Sequence, residues 1–430
     1  MRNEKPLVDR HRDVMPNWMG LYYKDPIALV DGEGRRVRDS NGKEYLDFFA
    51  GILTNMTGYN VPEIVDEIKD QAGKILHTST LYLIESQIEL AEEIAELSGI
   101  PDARVFFANS GSEANDAALM LATAYRKSNQ VLAMRYSYHG RSFSTVPVTG
   151  HNNWSPSSLS PFMVNYVHGG YPYRSPFGHL PKDDYIKACT DDLREIIKVA
   201  TTGDVACLLA EPIQGVGGFG APPDGLYGEF QKVLKEHGIL YISDEVQTGW
   251  GRTGTHFWGY EAHGVEPDII TFAKGLGNGL AIGGVVARAD IMNCWSASSL
   301  STFGGNPLST RGALANLRYL KKHNLQRNTL ERGGELKAGL EDLQAKHDII
   351  GEVRGKGLML AMEFVEAGTK TPNPAAANAL LEETRARGLL VGKGGMYGNV
   401  IRMAPPMTLT ADEVNEGLDI LAASLGVIAG

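Results

Sequence analysis

The central part of the sequence alternates short apolar runs with longer amphipathic segments, and this alternation limits the folds open to the chain. The apolar runs have the length of buried strands and comprise residues 105–109, 131–134, 206–211, 240–245 and 268–274. Residues with helical periodicity lie between such runs, over residues 112–127, 183–199 and 226–237. Buried strands separated by helices form a mostly parallel sheet that helices cover on both faces. The pattern therefore predicts an α/β domain.

The two ends of the sequence show a different pattern. Near the N-terminus, an Asn-Gly pair at 41–42 predicts a hairpin turn between two short strands. Near the C-terminus, two long helical segments precede shorter strands and helices. We therefore predict a large domain with the mostly parallel sheet and a smaller α+β domain. The predicted divisions are an N-terminal part of the small domain, the large domain and a C-terminal part of the small domain, at residues 1–58, 59–321 and 322–430.

Charge and composition exclude several classes of function. Forty-one basic and 51 acidic side chains give a net charge of -10, whereas nucleic-acid binding needs clustered Lys and Arg. No apolar run approaches the ~18 residues that cross a bilayer, and the charged first residues lack the apolar core of a signal peptide. The three cysteines are too scattered for a disulfide framework or a zinc site. We expect a cytoplasmic protein without nucleic-acid, membrane or metal partners.

A turn containing serine and glycine joins a predicted strand to the helix that follows it. The segment SGSEAND, residues 110–116, contains the Ser-x-x-Glu pattern of a helix capping box, and Gly111 allows a ligand to approach the backbone closely. The free N–H groups of a first helical turn bind phosphate readily. Because capping boxes are common without a ligand, this motif alone fits either a plain helix cap or a phosphate site.

Two charged side chains close buried strands of the predicted sheet, thirty residues apart. Asp244 follows one apolar run, and Lys274 ends another and precedes three glycines within five residues. Ligands bind at the carboxyl ends of parallel strands, where a buried charge needs a partner. Each residue alone also fits a structural role, as a loop-capping aspartate or as a lysine that reaches solvent. Together with the helix start, they fit pyridoxal 5′-phosphate (PLP), which has a phosphate, a basic ring nitrogen and an aldehyde.

Further motifs occur in order along the chain. They are YHGRS at 138–142, EPIQGVGG at 211–218, DEVQTGWGRTG at 244–254, PDIITFAKGLGNG at 267–279, STFGGNP at 301–307, VRGKGLM at 353–359 and IRMAPP at 401–406. With SGSEAN, they make the sequence resemble the class III aminotransferases, PLP enzymes of fold type I, over residues 26–425. Within that family, TFGGNP and VRGKGLM resemble alanine–glyoxylate aminotransferase 2 and the ω-amino acid:pyruvate aminotransferases.

The resemblance implies catalytic roles for three residues. Lys274 matches the lysine that carries the cofactor as a Schiff base and then moves a proton. Asp244 matches the carboxylate that keeps the pyridine nitrogen charged, so that the ring withdraws electrons. Tyr138 matches the aromatic residue that stacks on the ring.

The remaining cofactor contacts follow from the same resemblance. Gly111 and Ser112 match the phosphate-binding turn, and Gln247 stands where the family contacts the ring hydroxyl. Thr302 matches a threonine that reaches the phosphate from the partner subunit. The resemblance thus implies a homodimer with shared active sites, or a tetramer built from two such dimers.

The resemblance also implies substrate-binding residues. Arg402 resembles the arginine that binds a substrate carboxylate, for which a guanidinium offers two parallel donors. Glu211 resembles a glutamate that pairs with this arginine and swings away, so that one pocket accepts a near or a distant carboxylate. Leu53 stands where some amine-accepting relatives have a large aromatic residue. Residues 58–62 read GYNVP where relatives often have Gly-His-x-His-Pro, and this change near the expected entrance predicts altered substrate preference.

The implied reaction is transfer of an amino group, in ping-pong half-reactions, from an amine or amino acid donor to a 2-oxo acid. Candidate donors are β-alanine, 4-aminobutyrate and alanine, and candidate acceptors are pyruvate and glyoxylate. The same fold and cofactor also fit an aminomutase, racemase, decarboxylase or lyase, or an enzyme of a specialised biosynthetic pathway. A nucleotide-dependent oxidoreductase or a non-catalytic binding protein is a different class of function. GVGGFG at 215–220 fits the dinucleotide pattern, but it runs into two prolines rather than a helix.

Overall fold

The computed structural model of the chain describes residues 5–428. The outer ends of the two predicted small-domain segments, residues 1–4 and 429–430, lie outside the described residues. The helices are α1 (Leu7–Val14), α2 (Ala50–Leu53), α3 (Pro62–Lys74), α4 (Glu85–Ser98), α5 (Gly111–Arg126), α6 (Lys182–Ala200), α7 (Leu226–Glu236), α8 (Ala289–Met292), α9 (Pro307–Lys322), α10 (Leu325–Lys346), α11 (Pro374–Ala386) and α12 (Ala411–Ile428).

The strands fall into three sheets within these residues. They are β1 (Leu29–Glu33), β2 (Arg36–Asp39), β3 (Glu44–Asp47), β4 (Ala103–Ala108), β5 (Gln130–Met134), β6 (Met163–Val167), β7 (Cys207–Ala210), β8 (Leu240–Asp244), β9 (Ile269–Phe272), β10 (Gly283–Arg288), β11 (Ile350–Lys356), β12 (Met359–Phe364), β13 (Leu389–Leu390), β14 (Gly392–Gly394) and β15 (Val400–Met403).

The largest sheet has the strand order β4-β10-β9-β8-β7-β5-β6 within the described chain. The pairs from β6 to β9 are parallel, whereas β10 is antiparallel to both β4 and β9. Successive residues of β7 and β8 belong alternately to two apolar cores, one packed against α5 and the other against α6 and α7. The predicted α/β architecture, with helices on both faces of a mostly parallel sheet, is confirmed.

Strands β6 and β10 were not predicted. Strand β10 begins with two glycines because the neighbouring backbone leaves no room for side chains. A Cβ at Gly283 would lie 2.6 Å from the Ser110 carbonyl oxygen, and a Cβ at Gly284 would lie 2.5 Å from the Phe106 carbonyl oxygen. A strand that starts with two glycines lacks the apolar pattern on which the prediction depends.

One of the two smaller sheets, β1-β2-β3-β13, contains strands from both ends of the chain. The predicted Asn-Gly hairpin is present, because β2 and β3 pair in antiparallel fashion around Gly42, which has φ +84°. Strand β13, from the C-terminal part, pairs in parallel with β3. The other small sheet has the order β11-β12-β15-β14. The pairing of β13 with β3 supports our proposal that residues before 59 and after 321 form one small domain.

Over residues 5–428, no helix combines the length and the apolar character that crossing a bilayer requires.

Candidate active site

A cavity of about 380 Å³ opens at the carboxyl edge of the large sheet. Strands β4, β5, β7, β8 and β9 end at this edge, and the segments after them line the cavity. Predicted residues on the cavity wall are Gly111, Ser112, Tyr138, Glu211, Asp244, Gln247 and Lys274. Because parallel strands end at one edge, five separate motifs meet here. Three predicted residues, Leu53, Thr302 and Arg402, do not line the cavity.

The N-terminus of helix α5 forms one side of the cavity. The Ser110 hydroxyl accepts a hydrogen bond from the Glu113 N–H at 3.3 Å, as the capping pattern predicts. The Glu113 carboxylate instead accepts bonds from the backbone N–H and side-chain amide of Asn109, both at 2.9 Å. Gly111 packs against Val246, where a Cβ would lie 2.9 Å from Cγ1. A negatively charged group at this turn would be stabilised by the free N–H groups and the helix dipole.

Asp244 is the last residue of β8 and is 3% exposed. Its Oδ2 accepts a hydrogen bond from the Asn115 amide at 2.8 Å and lies 2.8 Å from His139 Nδ1. Its Oδ1 accepts a bond from the Val246 N–H at 3.1 Å. The side-chain oxygen of Asn115, Oδ1, in turn accepts a hydrogen bond from the Thr271 hydroxyl at 2.7 Å. These contacts hold the carboxylate in one orientation at the floor of the cavity.

His139 and Asn115 were not among the predicted site residues. Both belong to motifs that were quoted, since His139 follows Tyr138 in YHGRS and Asn115 belongs to SGSEAN. Asn115 lies one turn after Gly111 on α5, so the helical period places it on the face that meets the sheet. That period was the available signal for Asn115.

Lys274 begins a short 3₁₀ turn, Lys274–Gly277, and does not end the strand as predicted, because β9 stops at Phe272. Its backbone has φ +41°, a left-handed conformation that is uncommon for lysine and is typical of functional sites. Burial lowers the pKa of Lys274, against the opposing effect of the negative charges of Asp244 and Glu211. Lys274 lines the cavity, so its side chain is accessible to a ligand bound there.

Glu211 follows β7 and is 3% exposed. Its two carboxylate oxygens accept hydrogen bonds from the backbone N–H groups of Tyr138 and Gly215, each at 2.8 Å. Burial raises the pKa of Glu211 to about 7, and the nearby charge of Asp244 acts in the same direction. Glu211 is therefore a carboxyl group that titrates near neutral pH inside the cavity.

Arg402, on β15, is buried beside the cavity and does not form the expected ion pair with Glu211. Its Nη1 donates to the Gly215 carbonyl at 3.0 Å, and its Nη2 donates to the Lys393 carbonyl at 2.8 Å. Gly215 thus donates its N–H to Glu211 and accepts from Arg402, so the two side chains are joined through the backbone. A Cβ at Gly215 would lie 2.1 Å from Nε2 of Gln247, so a larger residue here would displace the Gln247 side chain.

Two further predicted residues lie on the cavity wall with restricted orientations. The Tyr138 ring meets Trp154 edge-on, with ring centroids 5.5 Å apart. Gln247 is 7% exposed, and its side-chain oxygen has no hydrogen-bond partner among the described residues. An unpaired buried amide oxygen next to a cavity is a contact point for a polar ligand group.

The remaining predicted positions lie elsewhere. Thr302 is exposed on a surface loop, and its neighbour Ser301 accepts a 3.2 Å hydrogen bond from Asn109, which does line the cavity. Leu53 is 2% exposed and packs in an apolar core with Phe49 and Phe219. In the GYNVP segment, the Tyr59 hydroxyl donates to Asp47 at 2.6 Å, away from the cavity wall.

Across the part of the chain that the structure describes, no group of three or more His, Cys, Asp or Glu side chains is arranged to hold a metal ion.

Known proteins resemble this chain over nearly its whole length. Residues 22–425 match the family Aminotransferase class-III. The mitochondrial alanine–glyoxylate aminotransferase 2 homolog 2 of Arabidopsis thaliana is 39% identical over 413 residues, which cover 95% of this chain and 85% of the relative. An alanine/serine racemase of Pyrococcus horikoshii is 34% identical over 431 residues, which cover 98% of this chain and 90% of the relative. A PLP-bound amine transaminase from an uncultivated Pseudomonas species has a TM-score of 0.89 and 28% identity, with 96% of this chain and 98% of that chain covered.

Proposed function

Since this chain belongs to the class III aminotransferase family and is a PLP-dependent aminotransferase, we propose how its own residues bind the cofactor and move the amino group. One observation carries the proposal. A lysine amine, a fixed carboxylate and a helix N-terminus surround one cavity, although they come from separate parts of the sequence. They correspond to the aldehyde, ring nitrogen and phosphate of PLP.

The polar groups around the cavity fit this cofactor. Gly111 and Ser112 would hold the phosphate at the start of α5, and Asp244 would accept a hydrogen bond from the protonated ring nitrogen. The unpaired oxygen of Gln247 would accept from the ring hydroxyl. Tyr138 would stack on the ring. When bound, PLP supplies an electron-withdrawing ring that stabilises negative charge on the substrate carbon next to nitrogen.

Lys274 has two tasks in this proposal. Its Nζ holds the cofactor, and as a neutral amine it takes a proton from the reacting carbon of the donor and delivers one to the acceptor carbon. Burial favours the neutral form because it lowers the pKa of this amine. Asp244, oriented by His139 and Asn115, keeps the facing ring nitrogen protonated.

Arg402 would bind the carboxylate of the 2-oxo acid and of amino acid donors. Glu211 lines the cavity with Lys274 and is joined to Arg402 through the backbone of Gly215. We propose β-alanine, 4-aminobutyrate or alanine as donor and pyruvate or glyoxylate as acceptor. The support for these substrates is the similarity to an alanine–glyoxylate aminotransferase 2 homolog. The cytoplasmic location stays a prediction, and the Arabidopsis relative is mitochondrial.

We also propose a homodimer in which Thr302 reaches the phosphate of the partner's cofactor. Thr302 is exposed in a single chain, and its loop carries the exposed apolar side chains Leu300 (53%) and Phe303 (58%). The ring centroids of Phe303 and His77 are 4.9 Å apart, and His77 is on the same segment as the exposed Leu81 (77%). An apolar surface of this kind supports an interface with a second copy.

A visible absorption spectrum tests the proposed reaction. The purified enzyme with PLP should show the band of lysine-bound cofactor, which bleaches with β-alanine, alanine or 4-aminobutyrate and returns with pyruvate. A band that none of these amines changes would contradict the proposed substrates. A protein that stays colourless with added PLP would contradict the proposed cofactor site.

The similarity to an alanine/serine racemase favours racemisation as the second candidate function. The two reactions differ in their products when L-alanine is the sole substrate. A racemase forms D-alanine catalytically, whereas an aminotransferase forms at most one pyruvate for each cofactor. Chiral chromatography of the reaction mixture therefore separates the two candidates.

A further inference from the structure

The glycine-rich loop at residues 215–220 separates two buried side chains of opposite charge. Its first residue, Gly215, donates its N–H to Glu211 and accepts a hydrogen bond from Arg402 through its carbonyl oxygen. Burial lowers the pKa of Arg402, whereas the charge of Glu211 opposes that shift, so the two side chains interact across Gly215. Opposite charges attract strongly in a protein interior. The loop therefore keeps these two side chains apart only if its own conformation is held.

The backbone of this loop has an unusual conformation. Gly218 has φ +102°, and Phe219 has φ +54°, a left-handed value that is uncommon for a residue with a side chain. The Gln214 N–H donates to the Gly220 carbonyl at 2.8 Å and closes the base of the loop. Left-handed residues of this kind persist where the surrounding structure holds them in place. The conformation of the loop therefore depends on contacts from outside it.

Besides Arg402, two donors from the C-terminal part of the chain bind carbonyl oxygens of the loop. The Gly395 N–H donates to the Val216 carbonyl at 3.0 Å. The Nε of Arg354, on β11, donates to the Gly218 carbonyl at 2.9 Å, and a bond from a charged donor is the stronger of the two. A Cβ at Gly218 would lie 3.0 Å from Nη2 of Arg354, so the lack of a side chain lets the guanidinium approach.

Arg354 is itself fixed by a buried network of charged and polar groups. The residue is 7% exposed, and its Nη1 donates to Glu363 at 2.7 Å and to Glu352 at 2.6 Å. Its Nη2 donates to the Tyr171 hydroxyl at 2.7 Å. Glu363 is fully buried and also accepts a 2.7 Å hydrogen bond from Nε of Arg174. Because the other end of the guanidinium is held in this way, its Nε–H has one defined direction, toward the loop.

We propose that Arg354 is a positioning residue for the carboxylate site: by fixing the loop, it keeps Gly215 between Glu211 and Arg402. The guanidinium of Arg402 then forms no ion pair with Glu211 and is available to a substrate carboxylate. Without the bond from Arg354, the loop relaxes, the two buried charges pair, and a substrate carboxylate must compete with that pair. The inference rests on the proposed role of Arg402 and adds what keeps that arginine available. No covalent bond changes in this step.

The test compares Arg354→Lys with Arg174→Lys, because both arginines bind Glu363 and Arg354 is the one of the two that also donates to the loop. Lysine keeps a positive charge for Glu363 but lacks the planar fork that serves two groups at once. At about pH 8, Glu211 is ionised, since its pKa is about 7. Under these conditions, PLP-loaded Arg354→Lys should bind propionate, which does not react, about 10-fold more weakly in calorimetric titration. Arg174→Lys should bind it within about twofold of wild type, and melting temperatures establish that both variants fold.

Glu211→Gln supplies a rescue that a merely structural role of Arg354 does not predict. Glutamine cannot form an ion pair with Arg402, so Arg354→Lys combined with Glu211→Gln should bind propionate within about twofold of Glu211→Gln alone. In the single variant Arg354→Lys, KM for pyruvate should rise with the loss of propionate affinity, while kcat stays within about twofold of wild type. A loss of propionate affinity that persists in the double variant would overturn the inference.

Arg402→Ala in the same assays separates the possible failures. If Arg402→Ala weakens propionate binding but Arg354→Lys does not, or if Arg174→Lys weakens it equally, the inference about Arg354 is wrong and the proposed carboxylate site stands. If Arg402→Ala leaves propionate binding unchanged, the role of Arg402 fails, and the role of Arg354 fails with it. If wild-type enzyme transfers no amino group from any donor, the proposed function itself is overturned.

Discussion

Lys274 and Asp244 lie at the ends of adjacent parallel strands, and their surroundings suit them to different tasks. The amine of Lys274 has a pKa lowered by burial, so its neutral form is more available. The Asp244 carboxylate is held at both oxygens by side-chain and backbone neighbours. An amine with a lowered pKa and an immobile carboxylate thus face the same cavity.

Lys274→Ala should abolish both covalent attachment of PLP and turnover, because no other amine takes the position of Nζ. Borohydride reduction followed by intact-mass analysis checks this, since only a chain with a cofactor–lysine bond gains the mass of reduced PLP. The exposed Lys69→Ala serves as control and should gain that mass. Unchanged labelling of Lys274→Ala would contradict the assignment.

Glu211 predicts a pH dependence of stability. Its pKa is about 7 in the folded chain, above its ordinary value of 4.5, so the folded state binds the proton more tightly than the unfolded state. Its stabilising contribution is complete below about pH 4.5 and is lost as pH rises through about 7. The melting temperature of Glu211→Gln should therefore fall less between pH 5 and pH 8 than that of wild type. Equal falls in calorimetric scans would show that Glu211 does not titrate in this range.

At the scale of elements, β10 positions the start of α5. The antiparallel β10 runs beside β4, and Gly283 lies against the carbonyl of Ser110, the residue that caps α5. The position of the turn proposed to bind phosphate therefore depends on a strand far away in sequence. The glycine at this contact matters because it removes a side chain, not because it makes a turn.

Gly283→Ala should move Ser110 and weaken PLP binding. The new Cβ would lie 2.6 Å from a backbone oxygen that cannot rotate away, and overpacking of this kind costs about 1–3 kcal/mol. We expect a lower melting temperature and about 10-fold weaker PLP binding in fluorescence titration. Gly334→Ala on α10 is the control, because its Cβ would meet nothing within 4 Å and alanine favours helix. If both variants bind PLP equally, β10 does not position the turn.

At the scale of the whole molecule, the proposed active site needs two chains. The role proposed for Thr302 requires a second copy of the chain, and the segment with Leu81 and Leu83 exposes 77% and 93% of these side chains. Leu83→Glu should convert the dimer to monomers and weaken PLP binding, because a buried, unpaired charge at an apolar interface is costly. Val199→Glu, exposed to 67% at the end of α6, is the control. Ultracentrifugation gives the masses, and a Leu83→Glu protein that remains dimeric would contradict this interface.

Features that have a local signal in the sequence, such as helical periodicity or a short motif, were predicted from it. The helices on both sides of the large sheet follow the predicted periodic segments, and residues of short motifs, such as Asp244 and Lys274, reached the cavity as expected. Features that depend on backbone packing were predicted less well from the sequence. The two glycines of β10 hide a strand, and the expected pairing of Glu211 with Arg402 is replaced by contacts through Gly215.

The sequence by itself determined the order of elements and the chemical groups available, because helical periodicity, apolar runs and motif residues are local properties of the chain. Only the tertiary structure decided which groups meet. His139 and Asn115 reach Asp244 from over a hundred residues away, and the guanidinium of Arg354 reaches the Gly218 carbonyl across 136 positions. Such contacts depend on how sheets and helices pack together, and no local pattern of residues records that packing.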